Sequence, residues 1–204
     1  MMSQSHWDSV YATEHLDELG WYEPMPSTLG LVTSYSTPGD SVIDVGGGAS
    51  PLTLELVRLG YRDLTVLDIS ERALGASRNA LAESAEVVSW IRADVTSYRP
   101  DRRWGLWHDR AVFHFLVEQH DREAYRSDAA SAVEPGGTLI VATFAPEGPE
   151  KCARLAVRRY DVDALAQEFV PDFDLVDGRR LDPIAATGDQ RPYIGVALRR
   201  NGQG

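Results

Sequence analysis

A short buried strand that breaks into glycines constrains this chain more than any other stretch. Residues 41–50 read SVIDVGGGAS, in which β-branched residues flank one acid, Asp44, and three glycines follow. Such a run predicts a buried strand that ends in a tight turn. Leucines then recur at positions 52, 56 and 59, and Gly60 predicts the end of that helix. The turn of this strand–turn–helix unit can bring backbone N–H groups close to a ligand.

A second apolar run also ends in an acid, about twenty residues past the glycines. Residues 64–70 read LTVLDIS, so Asp68 stands at the end of a predicted strand. An acid at this place can accept both hydroxyls of a ribose. A dinucleotide-binding turn would require a glycine at position 51, where this chain has a proline without an N–H for a pyrophosphate. Asp44 suits a cationic ligand better than a pyrophosphate.

These motifs resemble those of the class I S-adenosylmethionine-dependent methyltransferases. The first family motif, (D/E)-x-G-x-G-x-G, is matched at Asp44, Gly46 and Gly48, and Ser50 stands where the third glycine usually falls. The resemblance covers nearly the whole chain. It implies a single domain over residues 1–204, an α/β Rossmann-like sheet of seven mostly parallel strands with helices on both faces and a C-terminal antiparallel hairpin.

The resemblance implies S-adenosylmethionine as methyl donor and S-adenosylhomocysteine as product. Asp68 would then hold the ribose, Asp94 would contact the adenine amino group, and Ile69 would lie against one adenine face. Two other readings stay open, because Asp94 can be a turn or N-cap aspartate and Ile69 can be simple core. The expected cofactor-binding residues are Tyr11, Trp21, Asp44, Gly46, Gly47, Gly48, Asp68, Ile69, Asp94, Val95 and His108.

Residues 1–38 precede the first predicted strand and are rich in aromatic side chains. A W-D-x-x-Y motif at 7–11 and the run WYEPMP at 21–26 put four aromatics into a short, partly helical segment. One interpretation is packing against a core edge. The other is a lid over the cofactor, where aromatic faces suit a sulfonium cation. Similar N-terminal W-D-x-x-Y segments in related methyltransferases, including some that modify lysines of elongation factors, favour the lid.

The fourth predicted strand, residues 104–110, should end beside the reaction site. Ligands of open α/β sheets lie past the carboxyl ends of strands where the strand order switches, and in this family the first and fourth strands flank that switch. The Asp-Arg pair at this edge resembles the thiopurine methyltransferases, although Ala111 replaces their glycine. Each histidine here can also be a packed core residue. The candidate bases are His108, Asp109 and His114, and the candidate substrate contacts are Trp21, Tyr22, Arg110 and Phe115.

The rest of the chain continues the alternation of helices and strands. The loop over 145–152 either closes over a substrate or is a surface crossover. Further helices are predicted over 71–83, 121–133 and 161–169, and further strands over 86–91, 138–144, 173–182 and 190–199.

Composition narrows the possible partners. The net charge of −11 argues against a nucleic-acid substrate, because phosphate contacts need a basic surface. Cys152 is the only cysteine, which excludes an internal disulfide, and no ligand spacing suggests a metal. No apolar run reaches membrane-spanning length and no secretory signal is visible, so the expectation is a cytoplasmic monomer or dimer.

Three functional hypotheses follow. The first is a methyltransferase acting on a nucleophilic atom of a small molecule, such as a thiol or an amine. The second is a protein-lysine methyltransferase, which the N-terminal motif favours, although Asp109-Arg110-Ala111 differs from the Asp/Glu-Lys-Gly usual there. The third is a non-catalytic protein that binds S-adenosylmethionine or S-adenosylhomocysteine, since its sequence would look the same.

Overall fold

The computed structural model describes residues 3–13 and 15–202. The predicted N-terminal segment 1–38 and the predicted domain 1–204 therefore lie partly outside the described residues. The strands are β1 (Val42–Val45), β2 (Leu64–Asp68), β3 (Val88–Arg92), β4 (Trp104–Arg110), β5 (Val133–Phe144), β6 (Lys151–Cys152), β7 (Leu155–Ala156), β8 (Phe173–Leu181) and β9 (Tyr193–Arg200). The α-helices are α1 (Gln4–Thr13), α2 (Leu29–Tyr35), α3 (Leu52–Arg58), α4 (Glu71–Leu81), α5 (Gln119–Ala132) and α6 (Val162–Gln167).

Seven of the strands form one sheet in the order β3-β2-β1-β4-β5-β9-β8. The first five are parallel, whereas β9 runs antiparallel between β5 and β8. The strand order reverses at β1, which pairs with β2 on one side and with β4 on the other. The predicted α/β architecture, with its mostly parallel sheet and antiparallel C-terminal hairpin, is confirmed.

Helices cover both faces of the sheet, and this explains the composition of the strands. One apolar cluster joins the sheet to α2, α3 and α4, and a second joins its other face to α5 and α6. Strands β1 and β2 are buried at every position. Each therefore reads as a continuous apolar run instead of an alternating one.

Polar side chains cap two of the helices, and a glycine follows a third, as the sequence predicts for Gly60. Ser70 caps α4, because its hydroxyl accepts the N–H of Ala73 at 3.3 Å. Asp161 caps α6 in the same way through the N–H of Ala164, at 2.7 Å. Gly60 follows α3 with a φ of +96°, a backbone conformation that favours glycine.

Some predicted boundaries are wrong. The third strand begins at Val88, because residues 82–87 continue α4 as a 3₁₀ turn. Strand β5 begins at Val133, ahead of the predicted start at residue 138, and bulges where its register against β4 shifts. The predicted loop over 145–152 ends in β6, which pairs with β7 as a small separate hairpin. The last strand begins at Tyr193.

No α-helix within residues 3–13 and 15–202 combines the length and the apolar composition that crossing a bilayer requires.

Candidate active site

A large cleft lies at the carboxyl ends of β1, β2, β3 and β4, where the strand order reverses. We call it the main cleft. One side, the strand-end wall, consists of Asp44, Gly46, Asp68 and Asp94, which lie at or near the carboxyl ends of β1, β2 and β3. The opposite side, the N-terminal wall, consists of Trp7, Tyr11, Trp21 and Glu23, which precede the sheet in the chain.

Asp44 is held by a buried histidine. Its Oδ1 lies 2.8 Å from Nδ1 of His108, and Nε2 of the same ring lies 2.8 Å from the hydroxyl oxygen of Thr28. All three side chains are almost completely buried. Because both ring nitrogens of His108 are engaged, the ring orients Asp44 and has no nitrogen free for a substrate proton.

Asp68 is fixed by the backbone on both of its oxygens. Oδ2 accepts the N–H of Gly48 at 3.0 Å, and Oδ1 accepts the N–H of Ser70 at 2.8 Å. Burial raises the pKa of Asp68 to about 6, and the nearby Asp44 adds to the rise while the backbone donors oppose it. The carboxylate is therefore preorganised, and it titrates near neutral pH.

The glycine turn fits closely around these two carboxylates. Gly46 has a φ of +69°, and a Cβ there would overlap Val112. A Cβ on Gly47 would overlap the Asp44 carboxylate, and one on Gly48 would lie 2.7 Å from Asp68 Oδ2. Side chains are thus excluded at all three positions, which lets the turn wrap around the acids.

Asp94 serves as a turn aspartate and also lines the main cleft. Its Oδ1 accepts the N–H and the hydroxyl of Thr96, at 2.9 and 2.8 Å. The carboxylate faces the cleft together with Ile69 and Val95, which give this end an apolar lining. The two readings that the sequence left open for Asp94 are therefore compatible.

The N-terminal wall is aromatic. The Trp7 ring contacts Trp21 and Phe115, with ring centroids 6.1 and 5.4 Å apart, and lies 6.3 Å from Tyr11. Helix α1 is tied to the sheet end by Asp8, whose Oδ1 accepts the hydroxyl of Ser70 at 2.7 Å. Sequence reasoning noticed the W-D-x-x-Y motif but did not select Trp7 as a site residue.

Arg110 joins β4 to the N-terminal wall. Its guanidinium donates to the backbone oxygen of Trp21 at 2.9 Å and to the carboxylate of Glu23, and it lies 5.1 Å from the ring centroid of Tyr193. Glu23 is buried and also accepts the N–H of Ser27 at 2.9 Å. Sequence reasoning missed Glu23, since only the fold brings it to Arg110.

The expectation that Asp109 points toward the reaction site is wrong. Successive strand residues face opposite sides, so His108 and Arg110 face the main cleft and Asp109 faces away from it. Asp109 accepts the hydroxyl of Tyr125 at 2.7 Å and the N–H of Val112 at 2.9 Å. Burial raises its pKa to about 6. It is placed to fix the turn after β4.

His114 also does not line the main cleft. Its ring lies between Phe115 and Phe144, with centroids 4.5 and 4.8 Å away. Neither ring nitrogen has a hydrogen-bond partner among the described residues, and burial lowers the pKa of His114 to about 3. The ring stays neutral at ordinary pH, which corresponds to the packed core histidine that the sequence left open.

The loop over 145–152 reaches the site through Cys152, which lines the main cleft and is buried. No group of three histidine, cysteine, aspartate or glutamate side chains suited to a metal ion occurs in the described part of the chain. Gly47 and Gly48 lie under the cleft and do not line it. The predicted residues that do line it are Tyr11, Trp21, Tyr22, Asp44, Gly46, Asp68, Ile69, Asp94, Val95, His108, Arg110 and Phe115.

Part of this chain is similar in sequence to known methyltransferases. Residues 42–137 match the family described as a methyltransferase domain. An eEF1A lysine and N-terminal methyltransferase of Homo sapiens is 23% identical over 140 residues, which cover 68% of this chain and 20% of that protein. The chain thus spans about a fifth of the length of this curated relative.

Two solved structures resemble the fold over nearly the whole chain. A 1,6-didemethyltoxoflavin-N1-methyltransferase of Burkholderia thailandensis, solved with 1,6-didemethyltoxoflavin and S-adenosylhomocysteine, has a TM-score of 0.75 at 20% identity and covers 97% of this chain and 87% of its own. A structure titled "Conversion of a Disulfide Bond into a Thioacetal Group during Echinomycin Biosynthesis" has a TM-score of 0.76 at 18% identity, with coverages of 98% and 94%. At these identities the likeness shows the fold.

Proposed function

Because residues 42–137 match the methyltransferase-domain family and the sheet has the arrangement of the class I S-adenosylmethionine-dependent methyltransferases, we propose that this protein methylates a nucleophilic atom of a small molecule. S-adenosylmethionine is the proposed donor and S-adenosylhomocysteine the product. The surplus of acidic residues favours a small acceptor over a nucleic acid.

The observation that carries this proposal is the arrangement of three carboxylates around one cleft. Asp44, Asp68 and Asp94 lie at or near the carboxyl ends of the neighbouring strands β1, β2 and β3 and line the same cleft. Asp68 is already oriented by two backbone N–H groups, and its remaining lone pairs can accept ribose hydroxyls. Gly46 lines the same cleft beside them. These residues fit the nucleoside and the cationic end of the donor.

Each proposed contact follows from the chemistry of its residue. Asp44, held by His108, is the partner for the cationic amino-acid end. Ile69 and Val95 are apolar surfaces for the adenine, which Asp94 contacts through its carboxylate. The rings of Tyr11 and Trp21 give the sulfonium an aromatic surface. Burial near Asp68 raises the pKa of Tyr11, so this ring remains neutral.

The chain itself contributes alignment and exclusion of water. S-adenosylmethionine, when bound, supplies an electrophilic methyl group. The acceptor's lone pair forms the new bond to the methyl carbon, while the methyl–sulfur bond breaks and its electrons stay on sulfur. Neither His108 nor Glu23 is free to take a proton, because each is engaged elsewhere. We therefore propose an acceptor that is nucleophilic without a protein base, such as a thiolate or a neutral amine.

A protein-lysine acceptor is the second candidate. It is supported by the likeness to the human eEF1A lysine and N-terminal methyltransferase and by the W-D-x-x-Y motif of the N-terminal wall. An aromatic wall also suits a lysine side chain. The contacts of Trp7 with Trp21 and Phe115 narrow this side, and we take this to favour the smaller acceptor.

Calorimetry with S-adenosylmethionine, S-adenosylhomocysteine and NAD tests the cofactor. We expect micromolar-scale binding of the first two and far weaker binding of NAD. A preference for NAD would overturn the proposal. Transfer of a labelled methyl group is then followed with thiol, amine, hydroxyl and halide acceptors and with elongation-factor lysine peptides. Tight cofactor binding without transfer to any of them would indicate a non-catalytic binding protein.

A further inference from the structure

A second, smaller cavity adjoins the main cleft. The two share Trp21, Glu23 and Arg110, and the smaller one is also lined by Arg191 and Tyr193. Its volume is only about 10 Å³. It lies on the acceptor side of the site, away from the three strand-end carboxylates. Any acceptor reaching into the main cleft beside Arg110 can extend one small group into this space.

Two residues that line this cavity carry buried hydrogen-bonding groups without a partner. The Tyr193 hydroxyl is buried, and neither it nor Nε of Arg110 has a hydrogen-bond partner among the described residues. The two side chains are in contact, since the Arg110 guanidinium lies over the Tyr193 ring at 5.1 Å from its centroid. Leaving buried donors unpaired is costly, so this arrangement calls for an acceptor that the chain does not supply.

Arg191 adds a positive charge at the same place. It forms no salt bridge within the described ranges, although the chain carries a net charge of −11. It lies beside Cys152, where its guanidinium opposes the rise that burial causes in the pKa of the thiol. Because Cys152 lines the main cleft, Arg191 stands where the two cavities adjoin.

The carboxylates that line this cavity do not pair with all of these hydrogen-bond donors. Glu23 is committed to Arg110 and to the N–H of Ser27. Asp189 lines the rim and accepts the hydroxyl of Thr187 at 3.1 Å, but no ion pair within 4.0 Å joins it to Arg191 in the described chain. The cavity therefore presents two guanidinium groups and a phenol against one committed carboxylate and one on the rim.

Building on the proposed methyltransferase function, we propose that this cavity binds a carboxylate of the methyl acceptor, so that the substrate is a small anionic molecule. A carboxylate satisfies Arg191, Arg110 Nε and the Tyr193 hydroxyl together, and guanidinium groups match its planar geometry. The nucleophilic atom then lies on the main-cleft side of Arg110.

Matched acceptor pairs test this assignment. Binding and methylation of 3-mercaptopropionate and anthranilate are compared with those of their neutral amides, using calorimetry in the presence of S-adenosylhomocysteine and labelled methyl transfer. We expect each acid to exceed its amide at least tenfold in wild-type protein. Inorganic phosphate and acetate serve as competitors, and acetate should compete better if the group recognised is a carboxylate.

Three variants locate the effect. Arg191→Gln and Tyr193→Phe should remove most of the acid-over-amide preference while leaving S-adenosylhomocysteine affinity unchanged. Arg154→Gln is the matched control, because Arg154 is exposed and lines neither cavity. Equal use of acids and amides, no binding of either acid at millimolar concentration, or an unchanged preference in Arg191→Gln would overturn the inference. Stronger competition by phosphate than by acetate would overturn the assignment of a carboxylate. Failure of the wild-type protein to bind S-adenosylmethionine or S-adenosylhomocysteine would instead contradict the proposed function.

Discussion

The two walls of the main cleft are held in place by different means. In the strand-end wall, Asp44 and Asp68 are buried in the sheet and each is fixed by at least two hydrogen bonds or close packing contacts. In the N-terminal wall, helix α1 has no buried residue and is held by the Asp8–Ser70 hydrogen bond and by ring contacts of Trp7. Folding therefore preorganises the first wall, whereas α1 is the part of the second wall that opens at low cost.

Deleting residues 1–24 should have the largest effect, because it removes the whole N-terminal wall. We expect turnover to fall by about 100-fold or more, since acceptor alignment and water exclusion are lost together. Cofactor affinity should fall less, and the thermal transition should remain cooperative. A shorter deletion of residues 1–3, which keeps the whole N-terminal wall, is the matched control. Full activity of the longer deletion would show that this segment only packs against the core.

Asp68→Asn should weaken the strand-end wall most among single substitutions. Charge-assisted hydrogen bonds in a buried site predict a loss of about 2–4 kcal/mol in S-adenosylmethionine binding. Asp63→Asn is the control, because Asp63 precedes the same strand at its far end and pairs with Arg102 on the surface. Calorimetric affinities within twofold of wild type for Asp68→Asn would mean that the ribose lies elsewhere.

The raised pKa of Asp68 makes the strand-end wall sensitive to pH. Cofactor affinity should decrease as the pH falls through about 6, where the carboxyl becomes protonated. The folding stability of the cofactor-free protein should instead increase as the pH falls through the same range. A buried carboxyl whose pKa is raised in the folded state costs stability as the pH rises from 3.8 to about 6, because unfolding lets it ionise in water. Affinity that is independent of pH between 5 and 7 would contradict this assignment.

His108→Gln should test whether the ring acts as a base or as a support for Asp44. With support as its role, we expect about a tenfold loss of cofactor affinity, about 1.4 kcal/mol, and a pH–rate profile of unchanged shape. A loss of turnover with unchanged cofactor affinity would restore the role of base. Asp109→Asn is the contrast, since it should lower the melting temperature with little change in affinity because Asp109 faces away from the cleft.

The smallest effect is expected at the hydrogen bond between Asp8 and Ser70, which joins the N-terminal wall to the sheet end. Asp8→Asn weakens the contact of α1 with Ser70, which is partly exposed to solvent. We expect about a two- to threefold fall in acceptor turnover with unchanged cofactor affinity, in line with other exposed charged contacts. Asp17→Asn, an exposed aspartate in the same segment, should have no effect. Steady-state kinetics with a saturating cofactor concentration decides between these outcomes.

The comparison of the walls also explains what the sequence could predict. The strand-end wall was predictable because glycine turns and acids at strand ends are local patterns, visible within a few residues. Strand β3 was placed too early because Glu86 and Val87 look like strand residues but precede the pairing of Val88 with Leu64. Asp109 was wrongly expected at the reaction site. Successive residues of a strand face opposite sides, so Asp109 lies on the side of β4 away from the cleft.

The contacts of the N-terminal wall could not be read from local patterns. Glu23 meets Arg110, and Thr28 meets His108, across separations of 87 and 80 residues. Their residue types carry no signal for such pairing, because a glutamate or threonine in a loop is common. The hairpin of β6 and β7 was missed for a different reason, since two residues per strand give no measurable periodicity.

Two parts of the structure at the main cleft, helix α1 and the small hairpin of β6 and β7, lie outside the seven-stranded sheet. Helix α1 buries nothing completely, and the small hairpin buries only Cys152. Mutations in them therefore cost little folding free energy, while changes at β1 or β2 disturb the core directly. In an evolving lineage, or in a laboratory library, the proposed acceptor site can therefore vary in these peripheral elements while selection for folding preserves the proposed donor site.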